Sequence, residues 1–267
     1  MTLIATARGT ARTLAFSGYA AATLGAFTWQ ARGADDARVE ALLARYRRRL
    51  FRGTLRLYGI DVEVSGVVAP TRRARLVVAN HQSAFDIAVL GAYFGGSFVS
   101  RADVERWPVL GQLAADAHTL FVDREDRASG AQAIRTMRRR LRDGQTITVF
   151  PEGHTARGDV VDPFQPGSFA AARGLDAEIV PVGIAYAPAT EYIEASLLGH
   201  LVEVGGRGHT RVALAVGPSL GTSESAERLA EAAHEAVQRA FHSARRALAD
   251  RAAARADTND PQRIHRR

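Results

Sequence analysis

His81 and Asp86 are the first pair of residues in this chain whose types and spacing could do chemistry. They stand five apart in Asn80-His81-Gln82-Ser83-Ala84-Phe85-Asp86, directly after the apolar run Val77-Val78-Ala79. On a regular helix, five steps of about 100° leave two side chains about 140° apart, which is too far to pair. They can meet if His81 lies in a turn and Asp86 in the opening of the helix that follows. An imidazole held at one nitrogen by a carboxylate is a candidate general base for a hydroxyl. The same residues also fit a plain reading, with Asn80 or Ser83 capping a helix beside an exposed histidine.

Two further stretches end apolar runs in polar residues. Leu120-Phe121-Val122 leads into Asp123-Arg124-Glu125-Asp126, so Arg124 emerges from a strand with a fork suited to a phosphate or carboxylate. The neighbouring acids equally allow an ion-paired surface loop. Thr146-Ile147-Thr148-Val149 runs into Phe150-Pro151-Glu152-Gly153 and places Glu152 at a strand terminus. Open α/β sheets put ligand contacts at strand carboxyl ends, although Pro-Glu-Gly also suits a simple turn.

The elements that must carry these residues alternate. Strand-like runs at 61–68, 75–79, 119–122, 146–150, 179–186 and 212–216 are interleaved with helical patterns at 83–93, 128–141 and about 225–255, and Trp107-Pro108 precedes another helical stretch. This alternation predicts one α/β layered domain. A chain of 267 residues, 46% hydrophobic, can bury such a core and is too apolar to be disordered. All 35 basic residues are Arg, which excludes lysine Schiff bases and a P-loop Lys. With no Cys, disulfides, Cys-ligated zinc, iron–sulfur clusters and a cysteine nucleophile are excluded too.

The N-terminal segment carries no charge between Arg12 and Arg32, close to the roughly 20 residues of a membrane span, but it is rich in Ala, Gly, Thr and Ser. A marginal or partly inserted transmembrane helix and a helix lying on the membrane surface are both expected readings. A signal peptide and a buried core helix are further alternatives. Arg8 and Arg12 would favour a cytoplasmic N-terminus if the segment spans. Residues 35–57 read as an amphipathic helix, with Val39, Leu42, Leu43, Tyr46 and Leu50 on one face and Arg45, Arg47, Arg48, Arg49 and Arg52 beside it. Such a cluster suits a solvated face or anionic lipid headgroups, worth about 1 kcal/mol per basic residue near the surface. The net charge of +7 comes with no nucleic-acid-binding motif, so nucleic acid is not expected as a partner.

The ordered series N-H-x4-D, an apolar strand ending in Asp-Arg, F-P-E-G and then Ile179-Val180-Pro181-Val182 resembles the 1-acyl-sn-glycerol-3-phosphate acyltransferase family of glycerolipid acyltransferases, over roughly residues 75–186. The resemblance implies a single domain over residues 59–256, with a central mixed sheet flanked by helices. It also implies a membrane-associating helix pair in residues 1–58 ahead of that domain, and residues 257–267 form a loose tail. His81 would deprotonate the acceptor hydroxyl and Asp86 would orient it. Arg124 would grip an acceptor phosphate, Glu152 and Gly153 would shape that site, and Pro181 would lie on the acyl side. The donor would be acyl carrier protein or acyl-coenzyme A, the acceptor a lysolipid, and the place of work the cytoplasmic face of the cell membrane. No metal and no bound cofactor are implied. Where the family commonly continues F-P-E-G with Thr-Arg-Ser, this chain has His154-Thr155-Ala156-Arg157, so the second phosphate-binding Arg is displaced to Arg157 or missing. A phosphate-free lyso-aminolipid acceptor and a non-catalytic lipid-binding role are therefore alternatives.

Overall fold

The computed structural model describes residues 1–68, 73–106, 111, 115, 118–123, 125–187 and 196–258. Two long helices open the chain, α1 (Leu3–Ala31) and α2 (Asp36–Tyr58). Thr2 and Asp35 cap their N-termini by accepting backbone N–H bonds from Ala5 and Arg38. The α/β elements follow in the order β1 (Ile60–Ser65), β2 (Ala74–Ala79), α3 (Asp86–Tyr93), β3 (Ser97–Arg101) and β4 (Leu120–Val122). Then come α4 (Arg127–Arg142), β5 (Thr146–Val149), α5 (Gly167–Ala172), β6 (Ala177–Tyr186), α6 (Leu197–Gly206), β7 (Thr210–Val216) and α7 (Ala226–Thr258).

The strands of the described residues form one sheet in the order β1-β7-β6-β2-β5-β3-β4. All neighbours pair in parallel except β6 with β7. Central parallel strands are covered on both faces and so need near-continuous apolar runs. In β2, Leu76, Val77, Val78 and Ala79 are all fully buried. Because side chains alternate, Leu76 and Val78 join one core with Phe169 and Phe241, while Val77 and Ala79 join the opposite core with Leu55 and Leu90. The second core includes Phe16 and Ala20 of α1 and Phe51 and Tyr58 of α2. The helix pair thus shares a core with the sheet.

Among the described helices none is long and apolar enough to cross a membrane, so the spanning reading of α1 is not supported. Its small residues serve packing instead. A β-carbon at Gly9 would overlap the carbonyl of Val202 in α6. Arg12 is not a free positive flank either. Its guanidinium donates to the carbonyls of Tyr58 (3.1 Å), Gly205 (3.1 Å) and Arg207 (2.6 Å), closing the C-terminal ends of α2 and α6. Arg8 reaches the Gly206 carbonyl at 3.4 Å.

The alternation reading anticipated most of the elements, while β3, α5 and α6 were not anticipated. They are short or glycine-containing segments with too little periodicity to stand out. The helix expected from residue 83 begins at Asp86. Trp107-Pro108, Arg124 and residues 259–267 of the expected tail lie outside the described residues.

Candidate active site

β2 ends at Ala79, and the chain then turns through residues 80–85 before α3. Asn80 anchors the turn to β6 twice. Its Nδ2 donates to the Ile184 carbonyl at 2.9 Å, and its Oδ1 accepts the Ile184 N–H at 2.8 Å. Asp86, the first helical residue and completely buried, turns its carboxylate back into the turn. Oδ2 accepts the N–H groups of Gln82 (2.8 Å) and Ser83 (2.9 Å) and lies 2.7 Å from His81 Nδ1. Those two amides are held by a side chain instead of a helical carbonyl, which is why the helix starts late and why the five-residue spacing can pair.

The partner fixes the tautomer. A carboxylate only accepts, so His81 Nδ1 carries the proton and donates it, leaving Nε2 with its lone pair free. No described residue bonds Nε2, and the His81 side chain is 19% exposed. Phe150 stacks on the imidazole at 4.0 Å between centroids, with the planes 14° apart, which fixes the ring on its other axis.

Glu152 reaches the same residue through a different atom. It is buried, and its Oε1 accepts the backbone N–H of His81 at 2.7 Å while Oε2 accepts that of Asp162 at 3.0 Å. Burial raises its carboxyl above the ordinary range, and the two amides work against that rise. Gly153, at φ 86°, makes the tight reversal after Glu152 and donates to the Phe150 carbonyl at 3.1 Å. The Ala156 N–H donates to the His81 carbonyl at 2.8 Å, completing a clasp between the two turns.

His81, Asp86, Glu152 and Gly153 therefore come together. Arg157 stands on the exposed outer part of the same loop. His154, also exposed, places Nε2 2.9 Å from Asp162 Oδ2 and Nδ1 3.1 Å from the Glu152 carbonyl. Pro181 is buried within β6, in register with Val78 of β2, two residues ahead of Asn80. Arg124 lies outside the described residues.

Three participants escaped sequence reading. The Tyr186 hydroxyl donates to Asp86 Oδ1 at 2.6 Å, and Ser83 Oγ bonds His200 Nε2 at 2.9 Å, while Phe150 supplies the stacked ring. Burial pushes His200 down to about 4, so the ring is neutral near pH 7. Tyr186 and His200 follow the His81 turn by about 100 residues or more. Only the placement of β6 beside β2, and of α6 over the turn, could have pointed to them.

Residues 61–185 match the family model described as Acyltransferase. The chain is 36% identical over 193 residues to a lyso-ornithine lipid O-acyltransferase of Pseudomonas aeruginosa, covering 68% of this chain and 72% of that one. The chain belongs to this acyltransferase family. A family relative named 1-acyl-sn-glycerol-3-phosphate acyltransferase, from Neisseria meningitidis serogroup B, is 32% identical over 137 residues. That match takes in 51% of this chain and 54% of the relative, so the chain spans about half of that protein's length. The crystal structure of the 1-acyl-sn-glycerophosphate acyltransferase from Thermotoga maritima shares the fold, with a TM-score of 0.67 at 21% identity over 88% of this chain and 97% of that one. The acyltransferase family's α/β fold is thus the architecture of this chain.

Proposed function

We propose that this protein is an O-acyltransferase that moves a fatty acyl group from an acyl thioester to the hydroxyl of a lysolipid. The observation that carries the reading is the 2.7 Å His81–Asp86 contact, which leaves Nε2 as a free lone pair at the carboxyl end of β2. Nε2 takes the acceptor's hydroxyl proton as its oxygen attacks the thioester carbonyl. The C–O bond forms, the C–S bond breaks, and the imidazolium returns its proton to the departing thiolate. Base catalysis of this kind supplies about 10²–10⁴-fold in rate. Asp86 keeps the ring in the correct tautomer, Glu152 holds the backbone that carries it, and Gly153 shapes the turn beside it.

The acceptor we propose is 1-acyl-sn-glycerol-3-phosphate, giving phosphatidic acid, with Arg124 and Arg157 as the cations for its phosphate. A phosphate-free lyso-aminolipid is the second reading. It is favoured by Thr155, which stands where the family's Thr-Arg-Ser has its Arg, and by the half-exposed Asp162 carboxylate beside the preceding His154. The name of the pseudomonal relative points the same way. Acyl carrier protein and acyl-coenzyme A are acidic donors that a chain of net charge +7 attracts. Leu3, Ile4, Leu14 and Trp29 leave α1 91%, 72%, 68% and 70% exposed, which supports a helix lying on a membrane surface, for which we propose the cytoplasmic face of the cell membrane, with the exposed Arg45, Arg48, Arg49 and Arg52 of α2 toward lipid headgroups.

Purified protein given labelled acyl thioester with lysophosphatidic acid, a lyso-ornithine lipid or water alone tests this. Transfer to one lysolipid and not to water is expected, and His81→Ala should abolish it with the fold intact. Turnover that survives His81→Ala would overturn the base assignment. Acceptor binding with no transfer in the wild type would leave a lipid-binding protein.

A further inference from the structure

The Asp86 carboxylate serves more donors than a general-base pair requires. Oδ2 takes the His81 ring and two backbone amides, while Oδ1, on the far side from the imidazole, takes the Tyr186 hydroxyl at 2.6 Å. Tyr186 is the last residue of β6 and Asp86 the first of α3, so this bond spans 100 residues of chain. We infer that Tyr186 is a positioning residue for the acyl-transfer site, one whose neutral hydroxyl holds the Asp86 carboxylate at its free oxygen and tempers how strongly that carboxylate favours the His81 imidazolium. The inference rests on the reading of His81 as the base.

The physical argument has two parts. A carboxylate held at Oδ2 alone can swing about its Cβ–Cγ bond, whereas anchoring both oxygens fixes the line from Asp86 to Nδ1 and hence the direction of Nε2. Each neutral donor also draws charge from the carboxylate, so the imidazolium gains less from it. Tyr186 suits this role because it does not titrate in the working range. Burial and the adjacent Asp86 charge push its phenol well above 10. The other ionisable groups around the pair differ in kind. Glu152 touches the His81 backbone, His200 reaches the turn through Ser83, and His154 and Asp162 lie beyond Glu152.

Tyr186→Phe keeps the ring and deletes the donor. The acid limb of its kcat/KM profile should move to higher pH by about half a unit to one unit, because Asp86 then favours the protonated ring more strongly. Its kcat at the plateau should fall about tenfold with the acceptor KM unchanged, since the group acts on geometry and not on binding. Replacing Tyr186 alone by 3-fluorotyrosine gives a more acidic phenol and a stronger donated bond, and it should move the limb the opposite way. This second arm tests the idea even if the Phe variant folds poorly. Limbs that superimpose on wild type in both variants would overturn the inference, as would a loss of melting temperature with no shift in the limb. His81→Ala run alongside separates the two layers. If it stays active, the base reading fails. If it is dead while both Tyr186 variants keep the wild-type profile, only the role of Tyr186 fails.

Discussion

Asp86 and Glu152 are two buried carboxylates on two adjoining turns, both bonded to His81, yet to different parts of it. Asp86 takes the ring nitrogen and Glu152 the backbone N–H. Asp86 has four donors, from its own turn and from β6, whereas Glu152 has two backbone amides and nothing else among the described residues. Burial raises Glu152 above the usual carboxylate range. The contrast teaches that a carboxylate at a strand end can be taken up by backbone amides. Glu152 clasps the His81 backbone, whereas Asp86 holds its ring.

Replacing Asp86 should do the most damage. In Asp86→Asn one oxygen becomes an NH₂ that must face a donor, so the ring loses its tautomer and its orientation. We expect kcat to fall by about 10²–10⁴-fold, the size of a general-base contribution, measured in the acyl-transfer assay with the helical signal intact. Loss of activity only through unfolding would break the distinction between the two carboxylates.

Glu152→Gln should be milder for turnover and harder on the fold. Its amide satisfies one of the His81 and Asp162 N–H groups and opposes the other, at a cost of about 1–3 kcal/mol in denaturant unfolding. We expect kcat to fall about tenfold, as the His81 backbone shifts. A loss confined to the acceptor KM would instead place Glu152 on the substrate.

The smallest effect on turnover belongs to His200, whose environment sharpens the comparison from the other side of the turn. Its value of about 4 in the fold lies below the ordinary 6.5. Between those two values the unfolded chain binds a proton that the folded one does not, so stability rises with pH across that window. Unfolding titrations should show about 3 kcal/mol lost as pH drops from 6.5 to 4, and His200→Gln should flatten that slope with little change in kcat at neutral pH.

Much of the site could be read in advance because its bonds are local. His81 with Asp86, and Glu152 with Gly153, sit in short segments that follow apolar runs, and the turn-then-helix condition for pairing follows from helical geometry alone. The N-terminal segment shows the opposite. Its lack of charge suited a membrane span, yet Gly9 packs on α6 and Arg12 caps two helix ends, contacts made with residues almost 200 positions away. Arg12 looked like a charged flank because sequence shows that a charge is present but not which carbonyls it will meet.

The chain by itself determined the alternating α/β plan, the absence of thiol and lysine chemistry, and the condition under which His81 can meet Asp86, since composition and spacing act over a few residues. Only the tertiary structure decided that Glu152 holds backbone, that Tyr186 anchors the free oxygen of Asp86, and that α1 packs on α2 and α6. Those outcomes depend on which strand lies beside which, and strand order is set by the burial of whole faces, a property that no short stretch of residues carries.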